Sequence, residues 1–454
     1  MKRLQLLITG ISFFFASCHH ADEPPPPPPP PPPAAVVELT AVDTGLVDAQ
    51  VRLKISNVET PYSVAIVRDG QTIFSSLQSL TDTTVLDTAL MPRHTYIYKA
   101  YAIANGTAKD SSAPLFLMTL DTTSHEISWQ RYYFGDGSSS ILKDVCIIND
   151  TCVYAVGEIW RKDSLGNVIF PPYNLAKWNG SEWKLDIVYY EYMGQQLAEP
   201  LRSIYAFGEN DIWVGGAIPY HWNGVSWTFY DVGGIMGGNT NKIFGISSND
   251  LYIVGTSGSI AHYNGSSWSK IESGTTLDIQ DIWGAKNRIT AQWEILAAAG
   301  NHFISNERKL LNIKGMVVTS LSDSGIDWAL GSIWFLPGRQ YWVAGSGVWK
   351  KDRTLNSPIW TGGPNQVTIY TTNRIRGTDV NDIFICGAFG DAVHWNGSSW
   401  RSYQDQLAVS DGAHYSVAVT NDLIVLAGED NPRAVIAMGT RHSLGWKEGR
   451  TGKH

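Results

Sequence analysis

The chain has 454 residues, of which 43% are apolar and 17% are charged, and its formal net charge is −8. This acidic balance argues against a nucleic-acid-binding protein, which needs a basic face to displace counterions from phosphates. The length allows two or three domains, and 43 glycines with 18 tryptophans are typical of short strands and tight turns filled by large aromatic side chains.

The first 18 residues have the pattern of an export signal. Lys2 and Arg3 precede an apolar stretch from residue 4 to 15, which is too short to span a bilayer, and small residues then lead to Cys18. The segment resembles a bacterial lipoprotein signal peptide (1–18), although an ordinary secretory signal is an alternative. The resemblance implies lipidation at Cys18 and a Gram-negative outer-membrane or cell-surface protein that contacts the membrane only through this lipid.

Residues 19–35 form a linker that contains ten consecutive prolines, Pro24 to Pro33. Proline has a fixed φ and no backbone donor, so such a run adopts an extended polyproline II rod with about 3 Å per residue. We expect a spacer about 30 Å long between the lipid and the first folded domain.

Residues 36–121 are predicted to form a small all-β module of two packed sheets. Apolar and polar residues alternate from Val51 to Ile55, and Asp69-Gly70 predicts a type I′ hairpin turn. Leu90-Met91-Pro92 followed by Tyr96 resembles the tyrosine corner of fibronectin type III domains, although the tryptophan common on their second strand is missing. The resemblance implies an Ig-like sandwich in which the Tyr96 hydroxyl caps backbone at a sheet edge.

The remainder of the chain is a repeat with two recurring phrases. Asn-Gly predicts a tight turn, and a tryptophan follows the glycine three residues later. An Asn-Asp phrase before an apolar strand lies upstream of three of the four Asn-Gly turns. The Asn-Gly phrases are 177–183, 221–227, 262–268 and 394–400, and the Asn-Asp phrases are 210–215, 249–255 and 381–387.

The spacing of the phrases predicts seven units. Trp183 and Trp227 are 44 residues apart, and Trp268 and Trp400 are 132 apart, which leaves room for two degenerate units between them. A seventh unit follows near Asn421. A period of 40 to 45 residues with four strands per unit is typical of a β-propeller. An open array is the alternative, but it would leave exposed strand edges at both ends.

The sequence also predicts how the ring closes. Ile127-Ser128-Trp129 is similar to the Trp-bearing strand of a unit, and the last unit lacks that strand. We therefore expect residues 126–133 to supply the outer strand of the last unit. The predicted fold is all-β, an Ig-like or fibronectin type III sandwich followed by a seven-bladed β-propeller (126–445) closed by an N-terminal strand. The phrases resemble propeller repeats of bacterial surface and secreted proteins, a family without a transferable catalytic signature.

Histidine and cysteine residues are the candidates for metal and redox chemistry. His221, His262 and His394 occupy equivalent places in different units, too far apart in a ring to share one ion, so we expect each to pack against the neighbouring blade. No metal site and no cofactor are predicted. Cys146 and Cys152 are expected to face each other across a hairpin, where a disulfide is possible in an oxidising compartment.

The longest predicted loops collect at one mouth of the ring. They are 158–173, 189–201, 231–241, 350–360 and 402–414. Aromatic faces among carboxylates and amides suit sugar rings, and ligand sites are common on such loops. The candidate ligand-binding residues are Trp160, Arg161, Asp163, Tyr173, Tyr190, Glu191 and Tyr192.

These features predict a non-catalytic cell-surface lipoprotein whose propeller binds a glycan or a protein partner. A polysaccharide lyase or glycoside hydrolase is the main alternative. It would need paired carboxylates, such as Asp163 and Glu191, about 5 to 10 Å apart. A purely structural scaffold is the second alternative.

Overall fold

The computed structural model describes residues 33–301, 304 and 306–441. The predicted signal peptide, Cys18 and most of the proline run lie outside the described residues, as do residues 442–445 of the predicted propeller. Within the described ranges, no helix is both long and apolar enough to cross a membrane.

Two antiparallel sheets form the N-terminal module. Its strands are β1 (Val36–Thr44), β2 (Asp48–Ser56), β3 (Ser63–Arg68), β4 (Gln71–Ser76), β5 (Asp82–Thr88), β6 (Thr95–Ala104), β7 (Thr107–Ser111) and β8 (Leu115–Met118). One sheet has the order β1-β2-β5, and the other has β4-β3-β6-β7 with β8 also paired to β6. Alternate residues of β2 and β6 point inward and are buried in one shared apolar core, which makes the module a sandwich.

Local features of this sandwich follow the sequence pattern. The hairpin β3–β4 turns at Asp69 and Gly70, whose φ angles are 47° and 86°, so the prediction of a turn with two positive φ angles is confirmed. The Tyr96 hydroxyl accepts a hydrogen bond of 2.8 Å from the backbone N–H of Met91. This bond ties the start of β6 to the chain that precedes it.

Seven antiparallel sheets of four strands each make up the described residues from 127 to 441. The first strand to appear is β9 (Ile127–Phe134). The first sheet contains β10 (Ile141–Asn149), β11 (Cys152–Ile159), β12 (Tyr173–Trp178) and β13 (Trp183–Asp186), and a separate hairpin of β14 (Tyr190–Tyr192) and β15 (Gln195–Leu197) follows it. The second sheet contains β16 (Ser203–Gly208), β17 (Asp211–Gly215), β18 (Pro219–Trp222) and β19 (Trp227–Phe229).

The next three sheets repeat this order. The third contains β20 (Thr240–Ser247), β21 (Asp250–Gly255), β22 (Ile260–Tyr263) and β23 (Trp268–Ile271), with a 3₁₀ turn at Thr256–Gly258. The fourth contains β24 (Ile279–Lys286), β25 (Trp293–Gly300), β26 (Arg308–Lys314) and β27 (Val317–Leu321). The fifth contains β28 (Leu330–Leu336), β29 (Gln340–Gly345), β30 (Gly347–Asp352) and β31 (Thr361–Gly363).

The last two sheets complete the described chain. The sixth contains β32 (Thr372–Asp379), β33 (Asp382–Gly387), β34 (Ala392–Trp395) and β35 (Trp400–Ser402), and the short helix α1 (Gln404–Leu407) follows it. The seventh contains β36 (Gly412–Val419), β37 (Leu423–Asp430) and β38 (Arg433–Arg441), with β9 as its fourth strand.

The sheets are arranged in a closed, propeller-like ring. The first strand of each sheet contacts the first strand of the next, and β36 of the last sheet contacts β10 of the first. Strand β9 pairs with β38 in antiparallel register, from Phe134 opposite Ala434 to Ile127 opposite Arg441. The predicted pairing of residues 126–133 with the last unit is therefore confirmed. The second strands, such as β33, are buried along their whole length, which explains their continuous apolar sequence.

The Asn-Gly phrase forms a tight turn that packs closely against the asparagine of the Asn-Asp phrase. In the third sheet Gly265 has φ 90°, and Asn264 Oδ1 accepts hydrogen bonds of 3.0 and 2.9 Å from the backbone N–H groups of Ser266 and Ser267. Only the glycine has positive φ, so the asparagine acts through its side chain. A Cβ added to Gly265 would lie 2.9 Å from Cβ of Asn249, the asparagine of the other phrase. Equivalent close approaches join Gly224 to Asn210 and Gly397 to Asn381.

Where an Asn-Gly phrase begins with a histidine, that histidine contacts the aspartate of the Asn-Asp phrase in the same sheet. His262 stacks on Tyr252 with ring centroids 4.5 Å apart, and its Nε2 lies 2.8 Å from Asp250 Oδ1. All three residues lie in the same sheet, so the ring of His262 packs within its own sheet and not against the neighbouring blade as expected. The same arrangement joins His221 to Trp213 and Asp211, and His394 to Phe384 and Asp382. His221 also reaches the next sheet, where its Nε2 lies 3.4 Å from Ser248 Oγ. The repeated phrases are thus explained by the packing of each sheet.

The sandwich docks onto the ring through buried ion pairs. Asp43, which is 2% exposed, accepts from Arg339 Nε at 2.8 Å and from Arg288 Nη1 at 2.6 Å. Asp48 pairs with Arg339 and with Arg353. The three arginines come from loops of the fourth and fifth sheets that join first to second strands or third to fourth strands. The sandwich therefore covers the face of the ring that carries these loops.

We expect Asp43→Ala to loosen this docking. The substitution removes one of the two carboxylates that Arg339 and Arg288 each contact, and breaking a buried pair costs up to about 3 to 5 kcal/mol. Limited proteolysis between residues 119 and 126 should therefore become faster than in the wild type. Asp82→Ala, which removes an exposed ion pair within the sandwich, is the matched control and should leave the cleavage rate unchanged. Equal cleavage of wild type and Asp43→Ala would contradict the docking role.

Candidate functional site

The face opposite the sandwich carries the longer connections. Antiparallel strands alternate in direction, so loops from second to third strands and from each sheet to the next share one face, which we call the loop-rich face. Four of the five predicted loops lie there. The fifth, 350–360, joins β30 to β31 and belongs to the opposite face, where Arg353 pairs with Asp48. Its placement at the mouth was wrong because β30 was not recognised as a third strand.

The first predicted group lies on the loop between β11 and β12. Trp160 packs against Phe170 with ring centroids 6.4 Å apart, and Tyr173 is half-buried against the core of the first sheet. Both aromatic rings are thus at least partly used for packing.

The polar residues of the same loop have local partners. Asp163 accepts hydrogen bonds from the backbone N–H groups of Leu165 and Asn167 and from the Asn167 side chain. These bonds, with the Asn167 side chain foremost, lower the pKa of Asp163. Arg161 pairs with Asp136 at 3.5 Å, and both side chains are about half exposed. Asp163 therefore stabilises its own turn, which weakens its assignment as half of a catalytic carboxylate pair.

The second predicted group lies on the hairpin β14–β15. Tyr190 is half-buried and contacts Tyr220 and Phe229, with centroid distances of 5.9 and 6.0 Å. Glu191 and Tyr192 are exposed and lie opposite Gln196 and Gln195. The hairpin thus presents one aromatic ring and one carboxylate to solvent.

The candidate disulfide between Cys146 and Cys152, which the sequence left open, is not formed, and both residues are free thiols in the structure. The register places Cys146 opposite Tyr154 and Cys152 opposite Asn149, so the two cysteines do not face each other as expected. A bulge between residues 147 and 149 shifts the pairing. Burial raises the pKa of the Cys146 thiol to about 11 and that of Cys386 to about 12, which leaves both thiols protonated and unreactive.

Within residues 33–301, 304 and 306–441, no three His, Cys, Asp or Glu side chains are grouped so that they could hold a metal ion.

An apolar cleft opens on the loop-rich face between the fifth and sixth sheets. We call it the aromatic cleft and define it by Trp328, Ile369, Tyr370 and Phe389. These side chains are 46%, 62%, 41% and 46% exposed and line a volume of about 330 Å³. Tyr370 and Phe389 contact each other with ring centroids 4.9 Å apart. No charged side chain lines the described cleft.

The central channel has a polar mouth on the same face. One residue from each of the seven sheets contributes to it, and Arg374 lies just beneath. In six sheets this residue is the unpaired one of a β-bulge at the start of the first strand, which takes the residue out of the ladder. The mouth encloses about 170 Å³ and is lined by Lys143, Arg202, Asn241, Gln280, Gly331, Asn373, Arg374 and Tyr415.

Charged residues fill the channel below the mouth. Lys242 pairs with Asp144, and both Arg374 and Arg376 pair with Asp281. All five side chains are at most 9% exposed. They come from four different sheets, so these ion pairs connect the inner strands across the channel.

A wider cavity on the loop-rich face, of about 770 Å³, lies between the second, third and fourth sheets. Its charged groups are already paired. Lys270 lies 2.7 Å from Glu272, and Lys309 Nζ donates to the backbone oxygen of Gly274 at 2.7 Å. The aromatic cleft and the channel mouth are therefore better candidates for a ligand-binding site than this cavity.

Neither of these two sites was predicted from the sequence. The sequence did contain a signal for the channel. Ser203, Lys242 and Arg374 occupy equivalent positions upstream of the three Asn-Asp phrases, and two of them are charged. Charges at this place in an apolar inner strand mark a polar channel. The aromatic cleft had no comparable signal, since its residues come from three separate loops.

Comparisons with known proteins give structural neighbours only. No family model and no curated protein matches the chain. The chain is similar to a structure of YCF48 bound to D1 peptide (14% identity, 69% of this chain and 95% of that chain, TM-score 0.49) and to YCF48 from Cyanidioschyzon merolae (13%, 68% and 98%, TM-score 0.48). It is also similar to the RRP9 WD40 repeats (9%, 69% and 99%, TM-score 0.47). At these identities no function is carried over.

Proposed function

We propose that this chain is a lipid-anchored surface protein whose seven sheets form the blades of a β-propeller that binds a protein partner without converting it. The anchor would be Cys18, followed by the proline rod and a fibronectin type III-like sandwich. The observation that carries the binding role is the aromatic cleft on the loop-rich face.

The exposure of the cleft residues supports a binding role. Trp328 and Phe389 are each 46% exposed, and Ile369 is 62% exposed, although apolar side chains of this size are usually buried. Clustered exposed aromatic and aliphatic side chains mark interaction surfaces, and tryptophan and tyrosine dominate their binding energy. The uncharged lining favours an apolar or aromatic peptide segment as the occupant.

The position of the sandwich supports the same proposal. Asp43 and Asp48 hold the sandwich against the opposite face of the fourth and fifth sheets. An anchor that precedes the sandwich would thus leave the loop-rich face unobstructed. The aromatic cleft, between the fifth and sixth sheets, lies on this free side.

We expect Trp328→Ala and Tyr370→Ala each to weaken partner binding. Displayed random peptides should be selected on the immobilised full-length protein, and apolar or aromatic sequences should be enriched. Each substitution should weaken a selected peptide about tenfold or more, as for residues at the centre of an interface. Tyr192→Ala, an exposed tyrosine on a different hairpin, is the control. Peptides that bind all variants equally would contradict the proposal.

A glycan ligand, the other partner class predicted from the sequence, has a separate test. Binding on a glycan array that is lost in Tyr190→Ala and Tyr192→Ala, and retained in Trp328→Ala, would place a sugar on the β14–β15 hairpin instead of a peptide in the cleft.

A further inference from the structure

We propose that the mouth of the central channel is a binding site for a carboxylate group, held by Arg374, Arg202 and Lys143. The site lies apart from the aromatic cleft and is independent of the partner proposed there.

The buried charges of the channel do not balance. Among the residues that the structure describes, three cations, Lys242, Arg374 and Arg376, lie below the mouth with two carboxylates, Asp144 and Asp281. Each of the five is at most 9% exposed. A buried charge is costly unless it is paired, so one further negative group would be stabilised here.

The unsatisfied cation is Arg374. Arg376 donates to Asp281 through both terminal nitrogens, at 2.9 and 2.7 Å, and lies over the ring of Trp283. Arg374 has a single ion pair, from Nη1 to Asp281 at 2.6 Å. Its Nε is buried and has no hydrogen-bond partner among the residues that the structure describes. Arg374 also lines the mouth, so an anion seated in the cavity would lie beside this incompletely paired cation.

Two more cations stand at the rim. Arg202 is exposed and precedes the first strand of the second sheet. Lys143 Nζ lies 4.1 Å from the ring centre of Tyr415, whose hydroxyl donates to Glu429 at 2.6 Å. Glu429 keeps its negative charge, but the two cations outnumber this one carboxylate, so the rim keeps a positive balance that attracts anions.

The amides of the mouth have structural partners. Asn241 donates to the backbone oxygen of Ile279, and Asn373 donates to that of His414. Each bond joins one inner strand to the next and helps to fix the width of the opening. The ligand's charge would therefore be met by the three cations.

The shape of the site favours a carboxylate. The cavity of about 170 Å³ has room for roughly five water molecules, which suits one acidic group and a few attached atoms. A guanidinium presents N–H groups in a planar fork that matches a carboxylate. The carboxylate could belong to an acidic amino acid or to a sugar acid.

The test uses small probes on the full-length protein. Glucuronate and N-acetylglutamate are titrated by calorimetry, with glucose and N-acetylglutamine as neutral counterparts. We expect binding of at least one acid and of neither neutral compound. The preferred acid separates a sugar source from a peptide source. Equal binding of the neutral compounds, tighter binding of inorganic phosphate, or no binding by either acid would overturn the proposal.

Substitutions at the rim test whether the acid binds in the mouth. Arg202→Gln and Lys143→Gln should each weaken the preferred acid about tenfold, while Lys270→Gln, an exposed cation elsewhere on this face, should not. Trp328→Ala should leave the affinity unchanged, so failure of this site and failure of the aromatic cleft are distinguishable. Unchanged affinity in both rim variants, with unaltered melting temperatures, would exclude the mouth.

The pH dependence gives a second readout. Burial, with Arg202 nearby, lowers the pKa of Lys143 to about 8 although Glu429 opposes the shift. Lys143 faces Tyr415, Glu429, Arg202 and Arg374 in the mouth. The affinity for the acid should therefore fall as the pH rises through about 8, and Lys143→Gln should remove this dependence.

Discussion

Asp281→Asn should destabilise the ring by about 3 to 5 kcal/mol, the cost of leaving buried cations without their partner. Asp281 is fully buried and pairs with Arg374 and Arg376. It also accepts hydrogen bonds from the Ser332 hydroxyl and from the backbone N–H of Ile333 at 3.1 Å. The substitution keeps the shape of the side chain but removes the charge that two guanidinium groups share.

Urea denaturation monitored by tryptophan fluorescence measures this effect. Glu272→Gln, which breaks an exposed ion pair with Lys270, is the control and should change the free energy of unfolding by about 1 kcal/mol or less. A change of the same small size in Asp281→Asn would show that the channel charges contribute little to stability.

The same carboxylate predicts a pH dependence with a definite sign. Burial alone would raise the pKa of Asp281, but Arg374 and Arg376 outweigh it and hold the pKa below its ordinary value. A carboxylate with a depressed pKa in the folded state stabilises the protein above its unfolded pKa of about 4 and loses this contribution as the pH falls. The difference between wild type and Asp281→Asn should therefore shrink below about pH 4.

Removal of strand β9 should prevent the ring from closing. Its side chains contact both neighbouring sheets, since Trp129 packs against Tyr403 at 5.3 Å and Phe134 packs against Trp183 at 6.1 Å. Loss of these contacts and of the pairing with β38 should cost roughly 5 kcal/mol or more, at about 1.5 to 3 kcal/mol per large buried side chain. It also exposes the edge of β38, which favours aggregation.

Two shortened chains test this prediction. A chain that begins at residue 126 keeps β9, whereas one that begins at residue 136 lacks it, and both lack the sandwich. We expect the first to unfold cooperatively and the second to aggregate or melt at a much lower temperature. A synthetic peptide of residues 126–135, added in trans, should restore the second chain. Equal melting temperatures without the peptide would contradict the closure.

The arrangement of the sheets could be predicted because its signals are local. Turns such as Asn264-Gly265 depend on one positive φ and one side-chain cap, and both are properties of adjacent residues. The segment at Trp129 could be assigned to the last unit because it repeats a pattern seen elsewhere in the chain. The prediction that Cys146 and Cys152 face each other was wrong because it depended on the exact strand register. A single bulge between residues 147 and 149 changes that register, and the spacing of the two cysteines does not reveal it.

The sequence alone was sufficient for the repeating sheets, the turns between their strands and the strand that closes the ring, because each depends on short-range patterns of side chains. Only the tertiary structure decided where the sandwich docks, that Arg374 lies at a channel mouth with one buried positive charge to spare, and that Trp328 and Ile369 share an exposed cleft. These features bring together residues from different sheets, and their energies depend on burial and on distances that spacing along the chain does not encode.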